Sequence, residues 1–457
     1  MARAAASEPV NQPLPGAPAA LSPTPFARVF TILFGCFLGL SLLKFGNPPI
    51  MEKYTTAPAD IWEFIFGYPW PISWAYILLG CLGFAGLLLI GAQRPKLPGP
   101  AWLVWLPAIW FVWQFIAGTQ SVDWQLSSVN LEHFAACVGC FYIGLFCLGQ
   151  FKDLGLLWIG LWGGLLLVLV AGWEQHFGGL AETRRYFFLY VYPQAKAAVP
   201  PEYLKKIASE RIFATLFYPN ALAGVLLLLL PPGLTMILTS PRFTLPARRF
   251  LAALVAVGGL ACLFWSGSKG GWLLMLLLGL LFLFKTSLPR KLKFALVLFL
   301  LVSGLAGFWA RHAVFFGRGA TSVVARFDYW QVALKVTGQH PLFGTGPGTF
   351  SIPYQQLKKP DAEMTRLAHN DYLEQATDSG IPGFLSYSAM LLGALVIGYR
   401  ATSNDWRRFG IWVGLLGWAL QGLFEFGLYL PAVTWPAFSL LGWLVSKASE
   451  MQEAGQK

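Results

Sequence analysis

The residues best suited to do chemistry lie in one short polar stretch, Arg366-Leu-Ala-His369-Asn370-Asp371-Tyr372-Leu373-Glu374. An imidazole can act as a base in neutral solution, so His369 can accept a proton from an attacking hydroxyl. Asp371 or Glu374 could orient the ring, and spacing along the sequence does not choose between them. The stretch therefore predicts a general base, which the surrounding apolar segments would hold at a membrane edge.

Three basic residues from other parts of the chain are candidates to act with His369. Arg211 precedes an apolar segment that begins near Asn220, Lys269 lies in the turn Ser266-Gly-Ser-Lys-Gly-Gly271, and Arg326 begins a predicted helix. Arginine binds phosphate oxygens through paired donors, whereas lysine acts as a compact point charge. We therefore predict substrate-binding roles for these three residues. The predicted supporting residues are Asn220, Asn370, Asp371 and Glu374.

Each of these residues also has a purely structural interpretation. Arg211 could extend from a membrane edge into water, and Lys269 could be an ordinary interfacial lysine. Arg326 could pair locally with Asp328, and His369 could form a hydrogen bond with an acidic neighbour. Their joint occurrence favours function, because ionisable groups at bilayer depth are costly to bury.

The elements that must position these residues are membrane helices. Of the 457 residues, 56% are hydrophobic and only 12% are charged, against about 25% charged in ordinary soluble domains. Repeated apolar runs of about 17–22 residues are long enough to span a bilayer, which predicts an all-α, polytopic membrane protein. The twelve predicted spans are about 28–46, 71–91, 101–118, 131–149, 154–172, 216–238, 250–266, 271–285, 294–310, 382–399, 410–428 and 431–446.

The distribution of charge predicts the orientation of these spans. With both termini in the cytoplasm, 17 basic and five acidic residues lie inside, whereas 16 of each lie outside. This is the positive-inside pattern, and it accounts for the whole formal charge of +12 without any nucleic-acid partner. His369, Arg211, Lys269 and Arg326 then all face outward, where they suit an anionic, lipid-borne ligand such as a diphosphate.

The remaining segments complete the predicted organisation. Residues 1–27 are expected to form a disordered cytoplasmic tail, residues 28–446 the membrane domain, and residues 447–457 a second cytoplasmic tail. Two long outer segments, about 173–215 and 311–381, are expected to form the site. Short helices are expected within the second of these, near Val323–Val336 and near His369–Ser379.

The order of these motifs resembles the O-antigen ligase and polymerase superfamily. The matching elements run from Arg211 through Phe217-Tyr-Pro-Asn220, Ser268-Lys269-Gly-Gly, Arg326-x3-Trp330 and the glycine-rich segment 341–350 to His369-Asn-x-x-Leu373 and Gly380-Ile-x-Gly383. The resemblance covers roughly residues 205–430. It extends to a twelve-span layout with a large outer loop before the tenth span.

The resemblance implies both a fold and an activity. The fold would be GT-C-like, with a large periplasmic loop. The activity would be metal-independent, cofactor-free and of inverting type, transferring a glycan in the periplasm from undecaprenyl diphosphate to an acceptor hydroxyl of a glycan or of lipid A–core. Arg211 would bind the diphosphate and His369 would act at the acceptor. Lys269 stands where the ligases usually carry a second phosphate-binding arginine, so the charge is kept but the paired donors are lost.

Several functions remain open at this level. The chain lacks the motifs D-x-D, H-E-x-x-H and G-x-S-x-G, so metal-dependent glycosyl transfer and serine hydrolysis lack their usual signs. A glycan-repeat polymerase or a protein O-oligosaccharyltransferase would use the same residues as a ligase. A flippase or transporter is the alternative from another class. It is disfavoured because the spans are nearly free of charge, the main exceptions being Lys44, Glu132 and Glu425 near predicted span ends.

Overall fold

The computed structural model describes residues 24–93, 98–194, 204, 208–216, 218–317, 321–403 and 405–455, and no β-strand occurs within these ranges. The fold is therefore all-helical, as predicted. The helices, labelled in chain order, are α1 (Pro25–Lys44), α2 (Ile61–Phe66), α3 (Ile72–Gln93), α4 (Ala101–Thr119), α5 (Trp124–Tyr142), α6 (Leu157–Glu174), α7 (Leu180–Tyr186), α8 (Pro219–Leu238), α9 (Leu245–Ser266), α10 (Lys269–Lys285), α11 (Arg290–Gly317), α12 (Thr321–Gln339), α13 (Ser351–Leu357), α14 (Asp371–Arg400), α15 (Trp406–Gln421) and α16 (Pro431–Gly455).

Every predicted span coincides with a helix of this structure. Within the described ranges, nine helical segments are long and apolar enough to cross a membrane. The helices α10, α15 and α16 fall outside that group, and α10 and α15 have only 17 and 16 residues. A run of 17 residues is near the lower limit for crossing a hydrocarbon core. The chain is accordingly a multi-pass helical membrane protein.

The boundaries of three predicted segments differ from the structure. The eleventh span was predicted to reach residue 428, but α15 ends at Gln421, and a short loop that contains Glu425 follows it. The predicted C-terminal tail is largely helical, because α16 continues to Gly455. The predicted N-terminal tail falls mostly on residues 1–23, which lie outside the described residues, and α1 begins at Pro25.

Close helix packing in the bundle depends on small residues. A Cβ atom on Gly35 of α1 would lie 2.2 Å from the Leu157 carbonyl oxygen, and one on Gly160 of α6 would lie 2.2 Å from the Cys36 nitrogen. Gly39 and Gly164 meet one turn further along in the same way. Small residues repeated at four-residue spacing let two membrane helices approach until their backbones touch. The contact fixes α6, whose end leads into the first of the two long segments between predicted spans.

The buried interior and the exposed faces follow the division expected of a membrane protein. α16 lies at the centre of the bundle, with nearly every side chain from Ala432 to Ala448 buried. The exposed side chains of α11 are large and apolar instead, among them Phe294, Phe299 and Trp309. Such a face is stable against lipid, because lipid is as apolar as the side chains themselves.

The long segment between α11 and the apolar part of α14 is organised by helices α12, α13 and the first turns of α14. The predicted helices near Val323–Val336 and His369–Ser379 are both present. The helical path of α14 breaks at Ser379 and Gly380, where Gly380 has a φ of 70°. The break separates the turns that follow His369 from the apolar part of the same helix.

Candidate active site

His369 is held in an unusual backbone conformation just before α14. Its φ is 51°, in the left-handed region that residues with a side chain rarely adopt. The next residue, Asn370, caps the helix: its Oδ1 accepts hydrogen bonds from the Tyr372 and Leu373 nitrogens, both at 3.0 Å. Its Nδ2 donates to the Leu423 carbonyl at 2.8 Å. The cap therefore fixes the His369 backbone against the loop after α15.

The buried carboxylate of Glu425 connects His369 to three other side chains. Its Oε2 lies 3.3 Å from His369 Nδ1 and accepts a hydrogen bond from the Tyr218 hydroxyl at 2.8 Å. Its Oε1 accepts from Asn220 Nδ2 at 2.6 Å and from Arg326 Nη2. Glu425 is 3% exposed, so these four partners replace water around its charge.

The charge of Glu425 is set by two opposing effects. Burial disfavours the ionised carboxylate, but the positive charge of Arg326 and the hydrogen bond from His369 more than offset it and hold the pKa of Glu425 below its ordinary value. The group is therefore ionised at neutral pH. An ionised carboxylate next to Nδ1 accepts a hydrogen bond from that atom and so holds the imidazole in one orientation.

Two aromatic rings contact the imidazole. Phe426 lies edge-to-face against His369 with ring centroids 4.8 Å apart, and Tyr329 stacks on it with centroids 5.8 Å apart. Phe426 in turn stacks on Tyr218 at 4.8 Å. Within the described part of the chain, no hydrogen bond forms to Nε2 of His369. Nε2 is thus the ring atom free to meet a substrate.

Arg211 approaches the same group of residues from the segment before α8. Its Nε donates to the Ser266 carbonyl at 2.6 Å and its Nη2 to Asn220 Oδ1 at 2.8 Å. Asn220 thereby bridges Arg211 to Glu425. Gly267, which ends α9 with a φ of 61°, lies against the arginine, and a Cβ there would be 3.2 Å from Arg211 Nε. Burial lowers the pKa of Arg211, which nonetheless remains a cation.

Arg326 faces the centre of this cluster rather than its sequence neighbour. Besides Glu425, it contacts the Phe424 carbonyl through Nε at 2.9 Å. Asp328, the local partner that the sequence offered, binds Lys359 at 2.8 Å instead. The structural interpretation of Arg326 as a local ion pair is therefore wrong.

Lys269 begins α10, directly after the tight turn that ends α9. Ser268 caps this helix by accepting a hydrogen bond from the Gly271 nitrogen at 3.3 Å. The Lys269 ammonium lies 3.7 Å from the centroid of the Phe315 ring, which provides a cation–π contact. The positive charges of Arg211, Arg326 and Arg311 all act on it. Several cations thus share one region, in which an anionic ligand would relieve their mutual repulsion.

Asp371 and Glu374 form hydrogen bonds with backbone amides and do not contact the imidazole of His369. Both carboxylate oxygens of Asp371 accept a hydrogen bond from the Leu428 nitrogen, at 3.1 and 3.0 Å. Glu374 accepts from the Ala368 nitrogen. The expectation that Asp371 or Glu374 orients the imidazole is thus corrected: Glu425 contacts the ring, because the backbone amides engage the two nearer carboxylates. Both residues support the loop that carries His369.

Glu425 and Tyr218 are the site residues that the sequence did not single out. In the sequence, Glu425 stands out only as a charged residue near a predicted span end. A carboxylate in an otherwise apolar run could have indicated a site, because burying an ionised carboxylate without a partner is energetically costly. Within the described residues, no three His, Cys, Asp or Glu side chains are arranged to hold a metal ion.

Several residues of this site lie in a region that matches a known protein family. Residues 254–388 match the family model described as O-antigen ligase. The chain is also 30% identical to an uncharacterized protein of Haemophilus influenzae, over 28% of this chain and 38% of that protein. The chain thus spans less than two thirds of the length of this relative. The family match includes Lys269, Arg326 and His369, whereas Arg211 and Glu425 lie outside it.

Proposed function

We propose that the chain transfers a glycan from undecaprenyl diphosphate to an acceptor hydroxyl, and the match of residues 254–388 to the family model described as O-antigen ligase supports this proposal. The observation that carries the proposal is the link between His369 and Arg211 through Glu425 and Asn220. A base and a phosphate-binding cation are thereby held at one place by side chains from separate helices and loops.

The donor diphosphate would bind where the cations gather. Arg211 uses its Nε and Nη2 for protein contacts, and no acceptor among the described residues contacts its Nη1. That edge of the guanidinium is available for a phosphate oxygen. Lys269 and Arg326 would add charge as the leaving diphosphate forms, which lowers the free energy of the transition state.

His369 would activate the acceptor. Nε2 takes the proton from the attacking hydroxyl, whose oxygen forms a bond to the anomeric carbon on the face opposite the diphosphate. The bond from the anomeric carbon to the diphosphate oxygen breaks, and undecaprenyl diphosphate leaves with the electron pair. Glu425 stabilises the imidazolium through Nδ1. Attack from the opposite face inverts the configuration at the anomeric carbon.

A transporter is the rival from another class. Transport sites are expected near the bilayer midplane, often at broken helices. The break in α14 at Ser379 and Gly380 is such a feature, but the cations gather at helix ends and loops instead. Their position favours surface chemistry over passage through the bundle.

Analysis of the glycans in cells that lack this protein would distinguish a ligase from a polymerase and from a protein O-oligosaccharyltransferase. Loss of a ligase leaves free lipid-linked polymer, whereas loss of a polymerase leaves single repeat units on the final acceptor. Loss of a protein O-oligosaccharyltransferase leaves protein hydroxyls unmodified and the other glycans intact. Unchanged glycans of all three kinds would contradict the proposed transfer.

The proposal also places the site on the periplasmic side of the inner membrane, with both termini in the cytoplasm. We expect Asp361→Cys, in the second outer segment, to react with a membrane-impermeant thiol reagent in spheroplasts with an intact inner membrane. Ser287→Cys, in the exposed turn after α10, is the matched control and should react only after lysis. The parent protein corrects for its native cysteines. The reverse pattern would overturn the orientation.

A further inference from the structure

A cavity of about 310 Å³ lies beside Arg211, outside the cluster around His369. This volume falls in the range of roughly 300–1,000 Å³ that small-molecule sites occupy. The side chains that give the cavity its chemistry are those of His176, Arg184, Glu210, Trp265 and Arg311. Two guanidinium groups, one carboxylate and two stacked rings thus line a single space, for which the proposed roles of His369 and Arg211 leave no ligand.

The cavity and the proposed diphosphate site share their walls. Glu210 precedes Arg211, and Trp265 precedes Ser266, whose carbonyl accepts the hydrogen bond from Arg211. The Ile212 nitrogen donates to the Trp265 carbonyl at 3.4 Å, which joins the two segments. The positive charge of Arg311 also acts on Arg211 and Lys269. A ligand in the cavity would therefore adjoin a diphosphate held by Arg211.

The cations of the cavity have no acidic partners among the described residues. Arg184 donates to the carbonyls of Leu180 at 3.3 Å and Ala208 at 3.2 Å. Arg311 lies 5.7 Å from the Phe264 ring centroid. Over the ranges that the structure describes, neither arginine forms an ion pair, and neither does Glu210. Two guanidinium groups without counterions, both lining one cavity, favour an anion there.

The rings supply the apolar part of the cavity. The imidazole of His176 stacks on the indole of Trp265 with centroids 3.8 Å apart and an interplanar angle of 10°. Trp173 packs edge-on against the same indole at 5.0 Å. A rigid wall of this kind suits the C–H face of a sugar ring, while Glu210 can accept hydrogen bonds from sugar hydroxyls.

We propose that this cavity binds an anionic sugar, a saccharide unit that carries a phosphate or a carboxylate. The inference rests on the proposed glycan transfer. The unit belongs either to the donor glycan, next to its diphosphate, or to the acceptor. Both sources present the same chemistry to Arg184 and Arg311.

Binding can be measured without any transfer reaction. Full-length protein in detergent is dialysed against radiolabelled glucose 6-phosphate or glucuronate, with glucose as the neutral control. We expect saturable binding of an anionic sugar, no binding of glucose, and at least a tenfold loss of affinity in Arg184→Gln and in Arg311→Gln. Arg185→Gln, an exposed neighbour on α7, should bind as the parent does.

The outcomes that would overturn the proposal are distinct from failure of the transferase itself. Equal binding of glucose, no binding at all, or unchanged affinity in Arg184→Gln would each overturn it. In transfer assays, Arg184→Gln should raise KM for the donor or KM for the acceptor, which identifies the source, and no change in either would also overturn it. A parent protein that binds the sugar as expected but transfers nothing would contradict the proposed function and leave the cavity assignment standing.

Discussion

Replacing His369 with asparagine is expected to lower the rate of glycan transfer by roughly 100- to 10,000-fold, the usual contribution of a general base. Asparagine is the informative substitution because it tolerates a left-handed backbone better than most residues with a side chain, and His369 has a φ of 51°. The variant removes the proton acceptor while keeping a polar side chain beside Glu425. Transfer is measured with purified protein, lipid-linked donor and acceptor.

Two controls make this result interpretable. His340→Asn changes an exposed histidine in the same long segment between α11 and α14, and this variant should transfer at the parental rate. Donor binding by His369→Asn should match that of the parent, because Arg211 and Lys269 are unchanged. Transfer within about threefold of the parent would remove His369 from the chemistry, since a base is worth at least roughly 100-fold.

Replacing Glu425 with glutamine is expected to cost both stability and activity. The change removes the counterion of Arg326, whose side chain is only 19% exposed. Breaking a buried ion pair from one side costs about 3–5 kcal/mol, and the remaining exposure of Arg326 places the expected loss near the lower limit. Transfer should fall by about 100-fold or more, because the imidazole and Asn220 lose the group that positions them.

A double-mutant cycle tests whether the loss comes from the unpaired charge. Arg326→Gln combined with Glu425→Gln should unfold at a higher temperature than Glu425→Gln alone, because the double variant no longer leaves Arg326 as a cation without its counterion. Glu182→Gln, an exposed glutamate on α7, is the matched control and should leave the unfolding temperature unchanged. Strict additivity of the two single substitutions would contradict the coupling between Arg326 and Glu425.

The membrane fold was predictable because long apolar runs recur along the whole sequence. Each apolar run between charged turns overlaps a helix of the structure, and nine of the helical segments in the described ranges are long and apolar enough to cross a membrane. The turn Ser266–Gly271 was predictable for a local reason, since Gly267 adopts a left-handed φ and Ser268 caps the next helix. The grouping of Arg211 with Arg326 came from residue type and predicted side of the membrane. In the structure, Arg326 contacts Glu425 directly. Arg211 contacts Asn220, which in turn donates a hydrogen bond to Glu425.

The partner of His369 was not predictable, because it depends on tertiary structure. Glu425 lies 56 residues further along the chain, in what reads as an apolar span. Asp371 and Glu374 are nearer in sequence, but hydrogen bonds to the backbone amides of Leu428 and Ala368 direct their carboxylates away from the ring. Spacing along the sequence cannot show which of the three carboxylates accepts hydrogen bonds from backbone amides and which contacts the imidazole.

The proposed chemistry is tested most directly by following the donor lipid in proteoliposomes that contain the purified protein, donor and acceptor. The account predicts that each glycan transferred to the acceptor releases one undecaprenyl diphosphate, and that His369→Asn releases almost none. Movement of intact lipid-linked glycan across the bilayer, with no undecaprenyl diphosphate released, would contradict a transferase and favour a transporter.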